Sequence, residues 1–524
     1  MPNRPHPLTL PTLFQRGARL APESTVVSAM PDGPVRRRWP QVLEDARRTA
    51  GALAGAGVGR GDRVGTLLWN DHVHLDLALA TPLAGVALHP ANPRLSDADL
   101  EWTIRAAGDR LVFFDPEFEP RVRALAGRLP EVERWIRCGD GGFGESWESF
   151  LATAAELGSP TIEEDDPMAI CFTSGTTGHP KEIVYTHRSS YLHTLGLGLT
   201  DTMHLSGTDT ALAVVPVFHA ISWGLPYATA MLGSGLVLPH RRTRPEDLLD
   251  LIESEAVTIA VGVPVVWAGV MQAVKREPAR WRIRHLRRVV CGGGAPNLEM
   301  IEFFRLEFGA ELVHSWGMTE INPVGTMGRH AATIEERSLE PAEAQRLALK
   351  AGRPLPMLEV EIVDENGIPL PHDDEAVGSL VVRGPTVRGG FAADDPESLP
   401  GGWMRTGDVA SIDDRGRVTI RDREKDLIRS GGEWIGSLAL ERLIGAMPEV
   451  ALVAVVARPD PTWEERPVAV VELVEGASLD LETLRERLSA SLPKWQLPDD
   501  LIVREIPLTG TGKMDKKALR NAIA

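Results

Sequence analysis

Over the first 320 positions, short apolar runs of strand length alternate with segments of helical period. A strand followed by a helix, repeated many times, is typical of parallel sheets covered by helices. A capping box of Ser96 and Asp99 predicts the start of a helix that runs to Ala107. Strands are predicted at 63–69, 111–115, 211–215, 236–238, 257–261, 288–291 and 312–314, and further helices at 245–255 and 297–308.

The pattern changes after about residue 350, where short alternating segments and turn residues replace the longer units. Turn-rich stretches at 364–367 and 413–416 suit hairpin loops and are typical of an antiparallel lobe. Beyond residue 423, helix patterns and two long apolar strands predict an α+β unit of about a hundred residues, the usual size of a domain. We therefore expect an α/β protein with two domains, 1–422 and 423–524.

The composition limits the partners that the chain is expected to bind. Its 524 residues are 43% hydrophobic and 25% charged, as in an ordinary globular protein. A net charge of -17 argues against nucleic acid and anionic lipid, which the chain would repel. No stretch has the roughly eighteen uncharged residues of a membrane span, and the N-terminus lacks an apolar signal region. A cytoplasmic protein that acts on small molecules is expected.

A loop of small hydroxyl residues and glycines follows the apolar run 168–172. Glycines let backbone N–H groups approach an anion, and hydroxyls and a lysine add donors and charge, so this composition suits a polyphosphate. The spacing is neither Walker nor Rossmann, and Pro180 would obstruct the helix that a Walker loop needs. The candidate phosphate-binding residues are Thr173, Ser174, Gly175, Thr176, Thr177, Gly178 and Lys181.

The loop from Thr173 to Lys181 resembles the signature loop of the adenylate-forming superfamily, which includes acyl-CoA synthetases, peptide-synthetase adenylation domains and firefly luciferase. Further motifs extend the resemblance over nearly the whole chain. It implies a large N-terminal domain of two doubly wound αβα halves plus a β lobe, followed by a small, mobile α+β C-terminal domain. It also implies that ATP activates an acid as an enzyme-bound adenylate.

Two segments that follow predicted strands match the superfamily's nucleotide pocket. The resemblance implies that Trp316 stacks on adenine, that Thr319 contacts the α-phosphate and that Glu320 helps to hold Mg²⁺. A cation beside the phosphates would offset the charge that develops at phosphorus. Gly317 belongs to the same motif. A glycine-rich segment lines the adenine pocket in the family, and its matching residues here are Gly293, Gly294 and Ala295.

Three motifs near the predicted domain boundary and the C-terminus extend this pattern. The resemblance implies that Asp408 accepts both ribose hydroxyls, a task that suits a paired acceptor. It implies that Arg423 reaches the nucleotide and that Lys425 is the pivot of the small domain. Lys513 matches the lysine that bridges the acid and the α-phosphate, where a cation offsets the charge of two meeting anions.

The residues of the acid and acceptor sites are similar to those of medium- and long-chain fatty acyl-CoA synthetases. In that resemblance, His219 borders the carboxylate and Trp223 lines the acyl tunnel. Gly431, Gly432 and Trp434 match a strand that enters the active site in the second half-reaction, where glycines admit the pantetheine of CoA. CoA is therefore the expected acceptor.

Three segments depart from the family pattern, at Glu182, at Ile321 with Asn322, and at Leu508. Glu182 stands where glycine is usual, and it is expected to pair with Lys181 and alter nucleotide affinity. Ile321 and Asn322 replace small hydroxyl residues, which predicts a narrower pocket floor or a different head group. Leu508 occupies a position where a basic residue is common. These changes remove no catalytic group and together suggest a specialised substrate.

The prediction is an ATP-dependent, AMP-forming acid–CoA ligase whose small domain rotates between two half-reactions. Two alternatives stay open. One is a ligase of the same superfamily that uses a carrier-protein thiol or an amine as acceptor, or that activates nitrite. The other is a nucleotide-binding scaffold without catalysis. The size of the acid and the choice between monomer and homodimer also stay open.

Overall fold

The structure is a computed structural model that describes residues 6–158, 160–173, 179–329, 333, 335–387, 397–509 and 514–523. Its strands, in chain order, are β1 Thr25–Ser28, β2 Val35–Arg38, β3 Arg63–Leu67, β4 Ala87–Pro90, β5 Leu111–Phe114, β6 Arg134–Arg137, β7 Glu145–Ser146, β8 Pro167–Thr173, β9 Lys181–Thr186, β10 Thr210–Ala213, β11 Gly235–Leu238, β12 Ile259–Gly262, β13 Arg288–Gly292, β14 Glu311–Gly317, β15 Val324–Met327, β16 Arg353–Pro354, β17 Glu359–Val363, β18 Gly378–Arg383, β19 Ser398–Leu399, β20 Trp403–Ile412, β21 Val418–Arg423, β22 Ile428–Ser430, β23 Glu433–Ile435, β24 Val450–Asp460, β25 Glu464–Leu473 and β26 Asp500–Val503.

The helices in the same described ranges are α1 Pro11–Leu20, α2 Trp39–Gly55, α3 His72–Ala84, α4 Asp97–Ala107, α5 Glu119–Ala126, α6 Trp147–Ala152, α7 His187–Leu197, α8 Ala220–Trp223, α9 Leu225–Leu232, α10 Pro245–Ser254, α11 Pro264–Arg276, α12 Leu298–Phe308, α13 Pro341–Ala348, α14 Ser437–Ile444, α15 Leu481–Ser489 and α16 Lys516–Ile523. None of these helices has the length and apolar composition needed to cross a membrane.

Two large sheets form the first part of the chain. One has the strand order β7-β6-β5-β3-β4-β8-β9 and is parallel except where β9 pairs with β8. The other has the order β16-β15-β14-β13-β12-β10-β11-β1-β2, with a parallel centre and antiparallel edges. Parallel neighbours require crossover connections, which explains why helices such as α10 and α12 alternate with strands as predicted.

Helices cover both faces of these sheets and fill the space between them. Phe113 of β5 and Val313 of β14 belong to one buried cluster that also contains Trp39 of α2. A second cluster covers the other face of the nine-stranded sheet, where Trp267 of α11 packs edge-on against Phe304 of α12. This layering is that of the predicted doubly wound halves.

The rest of the chain forms an antiparallel lobe and a smaller sheet. The lobe has the order β17-β18-β20-β19, with β21 paired to β20 through the predicted turn at 413–416. The last sheet has the order β23-β22-β25-β24, with β26 on β25 and with α14 and α16 packed on β24. The lobe's last strand ends at Arg423 and the next sheet begins at Ile428. The domain boundary between 422 and 423 stays a prediction.

Most predicted elements are found, with small differences at their ends. The Oγ of Ser96 accepts the N–H of Asp99 at 3.1 Å, which confirms the predicted start of α4. The predicted strand 211–215 is shorter, because β10 ends at Ala213. The backbone oxygen of Val215 accepts hydrogen bonds from the side chains of Asn70 and Ser222 instead of from a neighbouring strand.

Candidate active site

Trp316, Asp408 and Arg423 come from three separate motifs and meet where the nine-stranded sheet adjoins the lobe. Trp316 Nε1 donates a hydrogen bond of 2.8 Å to Asp408 Oδ2, and Arg423 Nε lies 3.0 Å from Asp408 Oδ1. Asp408 and Arg423 are also register partners on β20 and β21. Both carboxylate oxygens are thus oriented by charged or polar donors, which fixes the side chain predicted to bind ribose.

Gly325 leaves room for the indole of Trp316, and Gly317 leaves room for the backbone of Pro323. A Cβ on Gly325 would lie 2.6 Å from Trp316 Cζ3, and a Cβ on Gly317 would lie 2.1 Å from the oxygen of Pro323. Ile321 packs against Gly325 and is fully buried in the core of the lobe together with Trp316. The expectation that Ile321 forms the pocket floor is therefore wrong.

Asn322 is also an internal residue. Its Nδ2 donates to the hydroxyl oxygens of Ser189 and Ser190 at 2.8 and 3.1 Å, and its side chain is buried. Ser189 and Ser190 belong to α7, so this amide ties the segment after β14 to that helix. Neither Ile321 nor Asn322 is placed to select a different head group, which corrects that expectation.

The turn that carries Thr319 and Glu320 is held by a tyrosine of β9. Tyr185 Oη donates to the backbone oxygen of Thr319 at 2.8 Å. Burial raises the pKa of Tyr185 well above its ordinary value, and the charge of Glu320 adds to the rise, so the phenol stays a donor. Glu320 itself is 9% exposed. The predicted phosphate and metal residues therefore lie on a turn fixed to the strand that follows the loop.

The predicted phosphate loop connects β8 to β9 as a hairpin. Thr173 ends β8 opposite Lys181, which begins β9. A strand therefore follows the loop, instead of the helix of a Walker site, in agreement with the prediction from Pro180. The loop residues that lie outside the described ranges are Ser174, Gly175, Thr176, Thr177 and Gly178.

Lys181 forms an ion pair with Glu397, which lies far away in the sequence. Its Nζ lies 2.9 Å from Glu397 Oε2. Because successive side chains of a strand point to opposite faces, Glu182 lies on the other face of β9, where it is exposed. The expectation that Glu182 pairs with Lys181 is therefore wrong.

An aromatic stack holds the end of the loop. The imidazole of His179 stacks on Trp102 of α4 with ring centres 5.0 Å apart, and His179 Nδ1 lies 3.6 Å from Asp99 Oδ1. Trp102 also packs edge-on against Phe172 of β8. Sequence reasoning missed this stack, because its members come from three elements that are distant along the chain.

The predicted adenine-pocket segment follows β13 and lies beside Trp316. Gly292 at the end of β13 is the register partner of Ser315 on β14, so both segments leave the sheet at one edge. Gly293 has φ of +78°, which favours glycine. A Cβ on Gly294 would lie 3.2 Å from Pro264 Cγ. The partly buried Ala295 completes the segment.

Trp223 covers the end of β13. A Cβ on Gly292 would lie 2.6 Å from Trp223 Cη2, so only glycine leaves room for this ring. Trp223 ends α8, a single turn in which Ala220, Ile221, Ser222 and Trp223 all have positive φ. Left-handed residues of this kind are unfavourable and persist only where tertiary contacts hold them. The segment predicted to line the acyl tunnel is therefore built on an unusual backbone.

A buried asparagine positions the strand end that leads to His219. Asn70 Nδ2 donates to the oxygen of Val215 at 2.8 Å, and its Oδ1 accepts the N–H of Val217 at 2.7 Å. His219 follows, half-buried, directly before the left-handed turn. Sequence reasoning did not single out Asn70, since nothing local marks its partners.

A neutral histidine supports the other end of this turn. A Cβ on Gly224 would lie 2.9 Å from His193 Nδ1, and His193 Nε2 accepts the N–H of Val324 at 3.4 Å. Burial lowers the pKa of His193 to about 3, so the ring is uncharged near neutral pH. His193 was also missed, and it links the acyl segment to the strand after Glu320.

The hairpin of β22 and β23 carries the residues predicted to meet CoA. Gly431 and Gly432 form its turn with φ of +63° and +86°. A Cβ on Gly431 would lie 2.8 Å from Trp463 Cε3, so that indole lies directly on the turn. Trp434 is 56% exposed and is available to a partner.

The predicted hinge and the C-terminal lysine lie in short connecting segments. Lys425 belongs to the 3₁₀ turn Glu424–Asp426 between β21 and β22. Lys513 lies outside the described residues. Leu508 and Met514, which lie before and after Lys513 in the sequence, pair as antiparallel partners. The two ends of the segment between them therefore lie side by side.

Polar contacts join α14 and the residue after it to the first part of the chain. Ser437 Oγ donates to Asp422 Oδ1 at 3.1 Å, and the N–H of Leu438 to Asp422 Oδ2 at 3.3 Å. Asn297 Nδ2 donates to the oxygen of Gly445 at 3.3 Å. These contacts connect the two predicted domains in the described arrangement.

Comparison with family models decides the class of protein. Residues 14–392 match the model of the AMP-binding enzymes, and residues 439–513 match the C-terminal domain of AMP-binding enzymes. This chain belongs to the AMP-binding enzyme family. The predicted membership of the adenylate-forming superfamily is confirmed.

Full-length relatives support the same class. A 3-methylmercaptopropionyl-CoA ligase of Ruegeria pomeroyi is 39% identical, over 98% of this chain and 97% of its own. A long-chain-fatty-acid–CoA ligase of Thermus thermophilus is 39% identical, over 98% of this chain and 95% of its own. The structure of the amide bond synthetase McbA from Marinactinospora thermotolerans is 27% identical with a TM-score of 0.83, covering 98% of this chain and 100% of that one. The predicted fold and the predicted AMP-forming acid–CoA ligase are confirmed.

Proposed function

We propose that this family member activates an aliphatic or thioether carboxylic acid with ATP and passes the acyl group to CoA. The observation that carries the proposal is the arrangement of Trp316, Asp408 and Arg423 beside the turn of Thr319 and Glu320. It combines an aromatic ring, a paired acceptor and a buried carboxylate. A nucleotide needs these groups for its base, its ribose and its phosphates.

Asp408 is proposed to hold the ribose. Each carboxylate oxygen has two acceptor sites, and Trp316 and Arg423 each occupy one of them. The two ribose hydroxyls are proposed to donate to this same carboxylate when the nucleotide binds. Trp316 and the segment of Gly293, Gly294 and Ala295 would then flank the adenine, because β13 and β14 end side by side.

Glu320 fits a magnesium ion by its chemistry. It is a buried carboxylate on a turn fixed by Tyr185, and carboxylate oxygens are the ligands that Mg²⁺ prefers. Mg²⁺ bound there would neutralise phosphate charge as the α-phosphorus is attacked. Thr319, on the same turn, is proposed to donate its hydroxyl to the α-phosphate.

Two lysines are proposed to act on the phosphates and the acid. Lys181, at the end of the loop, exchanges its ion pair with Glu397 for contact with the pyrophosphate part of ATP. Lys513, in the loop between the paired residues Leu508 and Met514, stabilises the carboxylate and the α-phosphate as they meet. An oxygen of the acid then attacks the α-phosphorus, and pyrophosphate leaves.

The acid is proposed to enter beside His219 and to end against Trp223. The ring of Trp223 lies over Gly292, so it limits the depth of the space at the end of β13. A short or medium aliphatic chain fits such a floor better than a long one. The 3-methylmercaptopropionyl-CoA ligase of Ruegeria pomeroyi is named for a short acid, whereas the equally similar ligase of Thermus thermophilus is named for long-chain acids, so the floor formed by Trp223 is the feature that favours the smaller size.

The second half-reaction is proposed to follow a rotation about Lys425. The hairpin of Gly431, Gly432 and Trp434 exposes its tryptophan and is free to approach the pantetheine of CoA. The contacts of Asp422 with α14 would break in that rotation. The CoA thiolate then attacks the acyl carbonyl, and AMP leaves.

An amine acceptor is the second candidate, because the amide bond synthetase McbA shares the fold over nearly the whole length of both chains. The CoA ligases are more similar in sequence, at 39% against 27% identity, which favours CoA. Nitrite has lost its support, since Ile321 and Asn322 are engaged in packing and hydrogen bonds. Glu320 and Lys513 are both present, which argues against a scaffold.

ATP–pyrophosphate exchange against a panel of acids tests the proposal. The panel contains butyrate, hexanoate, octanoate, palmitate, 3-(methylthio)propionate, benzoate and alanine. We expect exchange with the short and medium aliphatic acids and, on addition of CoA, the matching thioester by mass spectrometry. Exchange without any thioester would exclude CoA as the acceptor, and exchange with none of these acids would exclude the proposed substrate class.

A further inference from the structure

A largely buried cluster of two carboxylates and an imidazole lies where the two large sheets meet. Asp71 follows β3, Asp115 follows β5 and His240 follows β11. One ligand atom from each of these residues lies within 4.8 Å of the other two. The strands belong to different sheets, so the cluster joins the seven-stranded sheet to the nine-stranded one.

The imidazole is aimed into the cluster and lacks a hydrogen bond. His240 Nε2 is buried without a hydrogen-bond partner, and its side chain is 4% exposed. It lies 3.6 Å from Asp115 Oδ2, which is too long for a hydrogen bond. Two ligands of one tetrahedral zinc ion, with bonds of about 2.1 Å, lie about 3.4 Å apart. The separation thus suits a shared cation.

Backbone bonds orient the three side chains. Asp71 Oδ1 accepts the N–H of His74 at 2.9 Å, and Asp115 Oδ1 accepts the N–H of Glu117 at 2.9 Å. Each carboxylate therefore has one oxygen that fixes its orientation and a second that can act as a ligand. The N–H of His240 donates to the oxygen of Asn70, the neighbour of Asp71. Such support around ligands is typical of metal sites.

The charge of the cluster also favours a cation. Within the described residues, no lysine or arginine lies within 4.0 Å of the carboxylates of Asp71 or Asp115. Burying carboxylates without a paired cation is costly. Two carboxylate oxygens and an imidazole nitrogen suit a divalent cation of the zinc type, with water as the fourth ligand.

We propose that Asp71, Asp115 and His240 form a structural site for one divalent transition-metal ion, with Zn²⁺ as the best fit. The ion links the ends of three strands from two sheets. Asn70, which bonds to His240, also holds Val215 and Val217, so the ion supports the segment that leads to His219. The site is independent of the magnesium site proposed at Glu320.

Metal binding to the full-length protein without nucleotide tests this site. Chelator-treated, desalted protein is titrated with Zn²⁺ against a competing indicator, and thermal unfolding is recorded with and without Zn²⁺. We expect one equivalent to bind and to raise Tm. His240→Gln and the isosteric Asp115→Asn should each weaken binding at least about tenfold, because each removes a ligand. They should also abolish the rise in Tm.

Two variants serve as matched controls. His285→Gln removes an exposed histidine and should bind Zn²⁺ as the wild type does. Glu320→Gln should also keep the Zn²⁺ equivalent, which separates this site from the one proposed for Mg²⁺. Equal Zn²⁺ affinity in the wild type, His240→Gln and Asp115→Asn would overturn the proposal, as would the absence of bound Zn²⁺ in the wild type.

Discussion

The outer edge of the Trp223 ring lies directly over Gly292. A Cβ added to Gly292 would lie only 2.6 Å from Trp223 Cη2. The left-handed turn of Ala220–Trp223 holds the ring there, and the Ser222 hydroxyl fixes the turn by donating to the oxygen of Val215. Trp223 is therefore proposed to close the acid site at the end of β13 and to set the length of acid that the enzyme accepts.

Shortening Trp223 should open that space to longer acids. For Trp223→Ala, kcat/KM for palmitate relative to hexanoate should rise by roughly tenfold or more, because several methylenes gain room and each contributes to binding. Trp495→Ala, a change at a 40% exposed tryptophan, is the matched control and should leave the ratio unchanged. An unaltered ratio in Trp223→Ala would remove this residue from the acid site.

The bond from Trp316 to Asp408 should matter for both stability and nucleotide binding. Trp316→Phe keeps an aromatic ring but removes the donor to a buried carboxylate, which costs about 1–3 kcal/mol of unfolding free energy. The KM for ATP should also rise, since Asp408 loses a group that orients its carboxylate. Urea unfolding and initial rates measure both effects, with Trp495→Phe as the control.

The two half-reactions should respond to different residues. Lys513→Ala should abolish adenylation yet leave thioester formation from a preformed acyl adenylate intact. Trp434→Ala should do the reverse, because this exposed residue is proposed to meet CoA only after the rotation. Trp434 is a better probe than Gly431, whose replacement would strain a left-handed turn and strike Trp463.

Separate assays of the two steps decide this prediction. Pyrophosphate exchange follows the first step, and CoA-dependent release of AMP from a synthetic acyl adenylate follows the second. If each variant loses both steps to the same extent, the rotation about Lys425 is not needed to explain the site.

Stability should fall on acidification in part because of His193. Its pKa is about 3 in the folded protein and 6.5 when unperturbed, so between these values the unfolded chain binds the proton and the folded chain does not. The free energy of unfolding should therefore decrease as pH falls below 6.5, by up to about 1.4 kcal/mol per pH unit for this group. Urea titrations at several pH values should show a shallower decrease for His193→Gln. Parallel pH profiles would contradict the neutral ring.

The elements that could be predicted from the sequence are those with a local signal. The start of α4 at Ser96 and the strand ends around Thr173 follow from capping chemistry and apolar runs. The left-handed turn could not be predicted, because Ile221 and Trp223 disfavour positive φ and only tertiary contacts select it. The expectation for Glu182 was wrong because it was made from the adjacent residue in sequence, and strand alternation placed its side chain on the other face. The expectation for Ile321 was made from its position in the family motif, and core packing placed its side chain elsewhere.

In the candidate site too, residues with a local sequence signal could be predicted, and residues selected by tertiary contacts could not. Motif positions such as Trp316, Asp408 and Arg423 could be named from the sequence, but the bonds that join them depend on how β14 meets the lobe. The supporting residues Asn70 and His193 carried no local signal, since their partners lie on other elements. Burial and hydrogen bonding across the fold, which periodicity does not encode, decide these roles.

The balance of products tests the central claim most directly. The purified enzyme is incubated with ATP, Mg²⁺, CoA and hexanoate, and nucleotides and thioesters are quantified by mass spectrometry. We predict one AMP and one hexanoyl-CoA for each ATP consumed, with neither product formed when the acid is left out. Formation of ADP in place of AMP, or AMP without any thioester in the complete mixture, would contradict an AMP-forming acid–CoA ligase.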